Sequence, residues 1–515
     1  METTANSLER DAQQMALAAA RHRYAILALL TLLYGIGAMR YAASKPLWYD
    51  EVVTVIVARA PDAATTWKLA QQTDASPPLP HLLTHFAMRW FGGGDVAVRL
   101  PAIAGFWIFC LCLFWFVRRR LGIFYGLAAL LLPLATEAYD YAYEARAYGL
   151  ELAFCGLMLV AWQAATCSRW PQERFRHATA CAVLCLSLMG ALMCHYYAVM
   201  LYVPLAGGEA YRCWKARRIH WGIWTAFALG AAPLVWRVAA IRDAVRGFSQ
   251  TTWSPPHLVQ VLEFWEDGLQ PISSILVLAL AVTALWAWKS PDSSAPPDNP
   301  PAFPLHELLA GILFLGIPLF VMVAGMLVTH MFIPRYALLG LTGVVLLTPA
   351  VVARLARGRA LPAFLLLALA VLRLIVVTGT IPPPANPLAG ESVLLKALEQ
   401  GPVVVAEGQT FMQVWYYTPE PLKSNLVFLV DSTASVKYGF FNTASIDAAM
   451  AYLRHWYPFR VIDYRDFATP GKDFRVLQNP LKPGWLLAKV AADGGAETVE
   501  QYTNLRQLYR VRMPK

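Results

Sequence analysis

Eleven long apolar runs constrain this chain more than any other feature. They fall at residues 24–41, 102–117, 121–136, 147–166, 178–194, 196–211, 219–240, 271–288, 307–328, 335–353 and 360–379. About twenty apolar residues in a row are enough for a helix to cross the hydrocarbon of a bilayer. A helix also satisfies its own backbone hydrogen bonds there. The runs therefore predict a mainly α, polytopic transmembrane bundle of about eleven spans, the second and third near the short limit. Charged residues make up only 15% of the chain, against roughly a quarter in a soluble protein. The net charge of +10 raises the idea of nucleic acid. The basic residues, however, sit in short loops between apolar runs, as membrane orientation requires, and no nucleic-acid partner is expected.

With the N-terminus inside, the inner segments carry seventeen lysines and arginines, and the short outer loops carry only Arg146, Arg242, Arg246 and Arg335. This bias predicts an N-in/C-out protein with a cytoplasmic segment 1–23, a transmembrane domain 24–380 and a long outer loop 42–101. The polar lead with Arg21 and Arg23 reads as the front of an uncleaved signal anchor, although "YAAS" beyond it has a faint cleavage-site character. The eight cysteines lie between Cys110 and Cys213, mostly in apolar runs. They read as packing residues and do not report the redox compartment. No internal repeat of the transporter kind is apparent.

"IPPPANP" after residue 380 closes the membrane part. From 381 to 515 the composition is that of a small soluble α/β domain, placed outside by the charge bias. "GPVVVAE" and "SNLVFLVD" read as buried strands, "SIDAAMAYLRHW" as a helix with a serine cap, "WLLAKVAADGG" as strand and turn, and "LYRVRM" as a closing strand. "VFLVD" has no glycine-rich phosphate loop beside it, which argues against a nucleotide site.

Four stretches carry candidate chemistry, all at outer ends of spans. "LWYDEVVT" puts Asp50 and Glu51 just past the first run. They read either as solvated loop carboxylates or as an acid held at the interface to take a proton. On a helix the two diverge by about 100°, so only one can face a given atom. "SPPLPHLLTHFAMRWFGGGDVAVRLP" places His81 and His85 on one helical face. Without the glutamate of a zincin motif, two interfacial histidines are the simpler reading. "TEAYDYAYEARAYGLEL" would align Glu137, Asp140, Glu144 and Glu151 within about 60° on a continuous helix, but the chain must turn within it. Its Glu144 and Arg146 read as functional groups or as a structural pair between loops. "THMFIPRYALLG" puts Arg335 at the outer end of a span, against the inside bias, where a lipid phosphate or simple snorkelling would explain it. "CHYYAV" adds His195, Tyr196 and Tyr197 in a tight outer turn.

In this order the motifs resemble the GT-C superfamily of integral-membrane glycosyltransferases, nearest the branch of protein O-mannosyltransferases and the lipid A aminoarabinose transferase. The features are "WYDE", "SPPLPHLLTHFAMRWFGGGDVAVRLPA", "YEARAYGLEL", "CHYYAV" and "FIPRYALLG", over residues 24–350. The resemblance implies a sugar carried on a polyprenyl phosphate, moved to an acceptor hydroxyl of a glycan, lipid or protein on the outer face of a bacterial inner membrane. It implies Asp50 as general base with Glu51 in support, Arg146 and Arg335 on the donor phosphate, and Glu144, Tyr196, Tyr336, His195 and His81 as supporting or substrate-binding groups. Ser76 and His81 depart from the pattern, which often has His or Asn, and Tyr, at these places. No clear metal-ligand set is visible, and a divalent metal stays open. A transporter or flippase for lipid-linked saccharides is the alternative; it predicts charged residues along a path across the spans, whereas these acids gather at outer ends.

Overall fold

The computed structural model describes residues 2–515 apart from 74–75, 169–171, 251–253, 271, 290–301, 358, 379–384, 386–387, 389, 440, 481–483 and 503–505. Each of the eleven apolar runs coincides with helical structure. Five of the described helices are long and apolar enough to cross a membrane: Arg23–Ser44, Asp95–Leu121, Tyr148–Cys167, Arg174–Cys194 and Pro334–Leu355. A sixth forms if Leu305–Leu315 and Ile317–Thr329, bent by 50° at their junction, count as one. The other runs make shorter pieces, among them Ile123–Ala135, Trp221–Trp236 and Ala360–Leu372. Proline accounts for several of these breaks. Pro133, Pro233 and Pro318 each stand in the first turn of a new segment, where a missing N–H is tolerated. Leu29, Leu32, Leu33 and Ile36 point outward from Arg23–Ser44. An apolar face of that kind needs lipid, and the chain is an integral membrane protein.

Close helix contact sets the geometry beneath the loop 42–101. Asp95–Leu121 and Tyr148–Cys167 pack through small residues, as membrane helices do. A Cβ on Gly149 would lie 2.5 Å from the Ala102 carbonyl oxygen, and one on Gly105 would lie 2.6 Å from that of Gly149. Two consecutive motif segments are thereby held backbone to backbone.

The long loop 42–101 includes the helices Tyr49–Ala58, Ala63–Thr73 and Leu79–Phe91. The turn expected between these spans interrupts the acidic stripe. Glu137–Tyr143 is a 3-10 helix, Glu144 is extended, and the next α-helix starts at Tyr148. The chain reverses here, so a continuous helix is sterically excluded.

The C-terminal part builds one six-stranded sheet in the order β3-β2-β1-β4-β6-β5. The strands are β1 (Val403–Val405), β2 (Leu426–Val430), β3 (Val461–Asp463), β4 (Asp473–Gln478), β5 (Ala496–Tyr502) and β6 (Gln507–Arg512). The first four are parallel and the last two join antiparallel. Two local expectations change. "WLLAKVAA" is a helix, Trp485–Ala492, because Leu486, Leu487 and Val490 bury a helical face. Ser445 lies inside the helix Phe441–Leu453 and not at its cap, since nothing in the preceding "FNTA" stops a helix. The boundary expected at residues 380 and 381 falls outside the described residues.

This domain does not stand apart. Leu47, Val52, Val55 and Ile56 of the outer loop share one apolar core with Phe411, Trp415, Met450 and Phe459. The Leu47 N–H donates to the Tyr417 hydroxyl at 2.5 Å, Arg59 donates to Tyr416 at 3.2 Å, and the Tyr457 hydroxyl donates to the Ile56 carbonyl. The segment carrying Asp50 is therefore gripped from both sides.

Candidate active site

Only four residues separate the end of Arg23–Ser44 from the start of the helix Tyr49–Ala58. Extended Trp48 precedes it, and Glu51, three residues on, reaches back to accept from the Trp48 N–H at 3.2 Å. That is half of a capping box. Glu51 is fully buried and accepts three further N–H bonds, from Arg99 Nε and Nη2 at 2.7 Å each and from the Ala145 backbone at 2.7 Å. A buried bidentate arginine–carboxylate pair is compensated only when its remaining donors are also satisfied. Arg99 meets that condition, donating to the carbonyls of Ala42 (2.5 Å), Lys45 (2.7 Å) and Pro46 (3.2 Å). Glu51 and Arg99 thus tie together the end of one membrane helix, the acid pair and the segment that carries Glu144 and Arg146.

Asp50 points elsewhere and is free of this clamp. Its Oδ2 is buried, 3.3 Å from Arg335 Nη2 and 3.9 Å from Arg146 Nη2. Arg146 also donates to the Asp50 carbonyl at 3.3 Å and to Thr54 Oγ1 at 3.4 Å. Arg335 lies over the Trp48 ring at 5.4 Å. It is delivered by the 3-10 turn Pro334–Gly340, after His330 in the left-handed region (φ 54°). Phe332 is pinned there, its N–H donating to the Ser254 carbonyl and its own carbonyl accepting from Ser254 Oγ. Two guanidiniums against one carboxylate leave the centre with a net positive charge, suited to an anion.

The remaining candidates ring this centre. Buried Glu144 accepts from Lys45 at 2.6 Å. Burial pushes its carboxyl above the usual range, and Lys45 partly offsets that. The Tyr49 phenol is also raised, by burial and then by the neighbouring Asp50 charge. A small cavity is lined by Thr54, Ser76, Pro80, His81, Arg146, Tyr148 and His195. His195 packs against Tyr336 at 4.6 Å, and Tyr336 against Tyr197 at 4.8 Å. The Tyr196 hydroxyl is held instead by Arg237 at 3.0 Å. His85 is turned to the Ala58 carbonyl and Thr66, so the two histidines of "HLLTH" make different contacts. Among the described residues no group of three or more His, Cys, Asp or Glu is placed to hold a metal.

Sequence reasoning missed Arg99, Lys45 and Tyr148. Arg99 left a signal: an arginine in the first turns of a long apolar helix is costly unless something pairs with it. Nothing in the sequence marks Lys45, whose partner is 99 residues away.

No family model matches the chain, and no curated protein does. Solved structures do. The crystal structure of ArnT from Cupriavidus metallidurans in the apo state aligns with a TM-score of 0.59 at 13% identity, covering 96% of this chain and 98% of that one. The structure of the same protein bound to undecaprenyl phosphate aligns at 0.55 and 14%, with the same coverage. At such identity the likeness speaks for the fold alone, and it runs through both the membrane part and the C-terminal sheet. The chain shares the fold of ArnT over nearly its whole length.

Proposed function

We propose that this protein is a membrane glycosyltransferase that moves a monosaccharide from a polyprenyl-phosphate donor to an acceptor hydroxyl. The observation that carries the reading is the set of Asp50, Arg335 and Arg146 converging in one buried, net positive centre beside a locked Glu51. The fold shared with a protein solved with undecaprenyl phosphate supports the lipid donor. We assign the reaction to the outer face of a bacterial inner membrane; the charge bias of the loops supports the outer face, and the resemblance of the motifs supports the membrane.

The chemistry follows from the placement. Arg335 and Arg146 hold the donor phosphate and take up negative charge as the bond between the anomeric carbon and the phosphate oxygen breaks. The acceptor hydroxyl attacks that carbon from the opposite side while its proton passes to Asp50. One displacement inverts the anomeric centre and needs no second carboxylate as nucleophile. Glu51 is unsuited to the base role, because its lone pairs already meet Arg99, Ala145 and Trp48. Its part is to fix the backbone on which Asp50 stands. A phosphate engaging Arg335 and Arg146 competes with Asp50 for the same guanidiniums. Donor binding therefore turns the carboxylate toward the acceptor.

Two variants separate the roles. Asp50→Asn is expected to lower turnover by ~10²–10⁴-fold, the usual contribution of a general base, with little change in donor affinity. Arg335→Ala is expected to weaken donor binding as well as turnover. Assay of the purified variants on lipid-linked sugar checks both. Full turnover in Asp50→Asn would exclude it as the base.

A further inference from the structure

A cluster of basic residues lies at the opposite end of the helix that carries Arg99. From Arg99 to Arg118 is roughly 29 Å of helix at 1.5 Å per residue, about one hydrocarbon thickness. There the run Arg118-Arg119-Arg120 divides its labour. Arg120 is consumed by an ion pair with buried Glu307. Arg118 and Arg119 instead line an open cavity flanked on its other side by Gln13, Leu17 and Ala20 of the N-terminal helix and by Ile123. Among the described residues neither enters an ion pair; Arg118 rests on the rings of Trp115 at 5.0 Å and Phe114 at 6.0 Å.

The cavity is built rather than accidental. Gly122, with φ 96°, makes the sharp turn out of Asp95–Leu121. Gly126 then lets the following helix pass Arg118, since a Cβ there would lie 2.7 Å from Arg118 Cβ. The N-terminal helix is fastened over it through Glu9, which accepts from the Ala360 and Leu361 N–H groups at 2.7 and 3.0 Å. Both Glu9 oxygens are thus engaged by backbone donors, and no ion pair joins Glu9 to Arg118 or Arg119 among the described residues. Leu17 is 74% exposed, and its apolar surface sits beside two guanidiniums that have no carboxylate.

We infer that this cavity binds an anionic glycerophospholipid. The headgroup phosphate would meet Arg118 and Arg119, and the upper acyl chain would lie along Leu17, Ala20 and Ile123. A second copy of the chain or a soluble partner would not supply anion and hydrocarbon together at this depth. The site is remote from Asp50 and does not depend on the reaction proposed there.

The test uses the full-length protein in nanodiscs of equimolar phosphatidylglycerol and phosphatidylcholine, with retained lipid read by native mass spectrometry. Wild type is expected to retain phosphatidylglycerol with roughly tenfold enrichment, lost in the Arg118→Gln/Arg119→Gln double variant. Arg119→Gln alone, at an exposed position, is expected to weaken enrichment without altering thermal unfolding in detergent. Equal retention of the two lipids by wild type, or unchanged enrichment in the double variant, would overturn the site. Displacement of the lipid by inorganic phosphate would overturn it too, by showing an anion site indifferent to lipid.

Discussion

Glu51 and Asp50 are neighbours whose surroundings assign them opposite work. Glu51 meets four N–H donors and so acts as a structural node; breaking such a buried pair costs roughly 3–5 kcal/mol. Asp50 meets two arginines at ion-pair distance and retains capacity for a proton. Asp447 in the C-terminal domain is a third kind of acid. It is buried against Trp485, whose indole N–H donates at 2.5 Å, and burial raises its pKa to about 7, only partly offset by that bond. The folded domain then keeps a proton that an unfolded aspartate loses near pH ~4. Its stabilising effect is complete below that pH and is lost as pH rises through about 7. The unfolding midpoint of the wild type is expected to fall from about pH 5 to about pH 8, and Asp447→Asn is expected to flatten that slope. Scanning fluorimetry across the range checks it; identical slopes would refute the assignment. At this scale the sequence showed which residues matter only where short motifs carried them. Asp50, Arg146 and Arg335 stood out as charges at outer span ends. Arg99 shows in the sequence only as a charge in an apolar helix and Lys45 not at all, because their partners are brought near only by the fold.

The helices that position the site work through close approach. Gly149 and Gly105 let two membrane helices touch backbone to backbone, which sets the segment holding Glu144 and Arg146 against Arg99. Gly149→Val puts side-chain atoms where the Ala102 carbonyl already lies, and overpacking of this kind costs typically ~1–3 kcal/mol. The variant is expected to unfold at lower temperature and to lose turnover. Gly35→Ala, whose added Cβ meets only Met39 Cε at 4.0 Å, is expected to change neither. Unfolding and turnover measured on both variants decide the point. Apolar run length revealed where helices lie but not how they break. Prolines at segment starts shortened several of them. The reversal that had to interrupt the stripe of Glu137, Asp140, Glu144 and Glu151 is a 3-10 helix followed by an extended Glu144, a detail its helical period could not give. "WLLAKVAA" was too short for its period to distinguish strand from helix.

Across the whole molecule, a membrane bundle and a six-stranded sheet meet at the loop 42–101, and the acid pair lies where they meet. Residue types alone made the two compositions legible, but their shared core rests on contacts more than 300 residues apart, such as Leu47 with Tyr417. The grip of the C-terminal domain on this loop accounts for how a short helix between membrane and solvent holds Asp50 steady. The central claim is that this centre transfers a lipid-borne sugar. It is tested most directly by mass-spectrometric profiling of lipid-linked and envelope glycans in cells lacking the protein, complemented by wild type or by Asp50→Asn. The account predicts that one glycan class loses a sugar, that the matching polyprenyl-phosphate-linked sugar accumulates, and that only wild type restores the profile. An unchanged profile, or full restoration by Asp50→Asn, would contradict it.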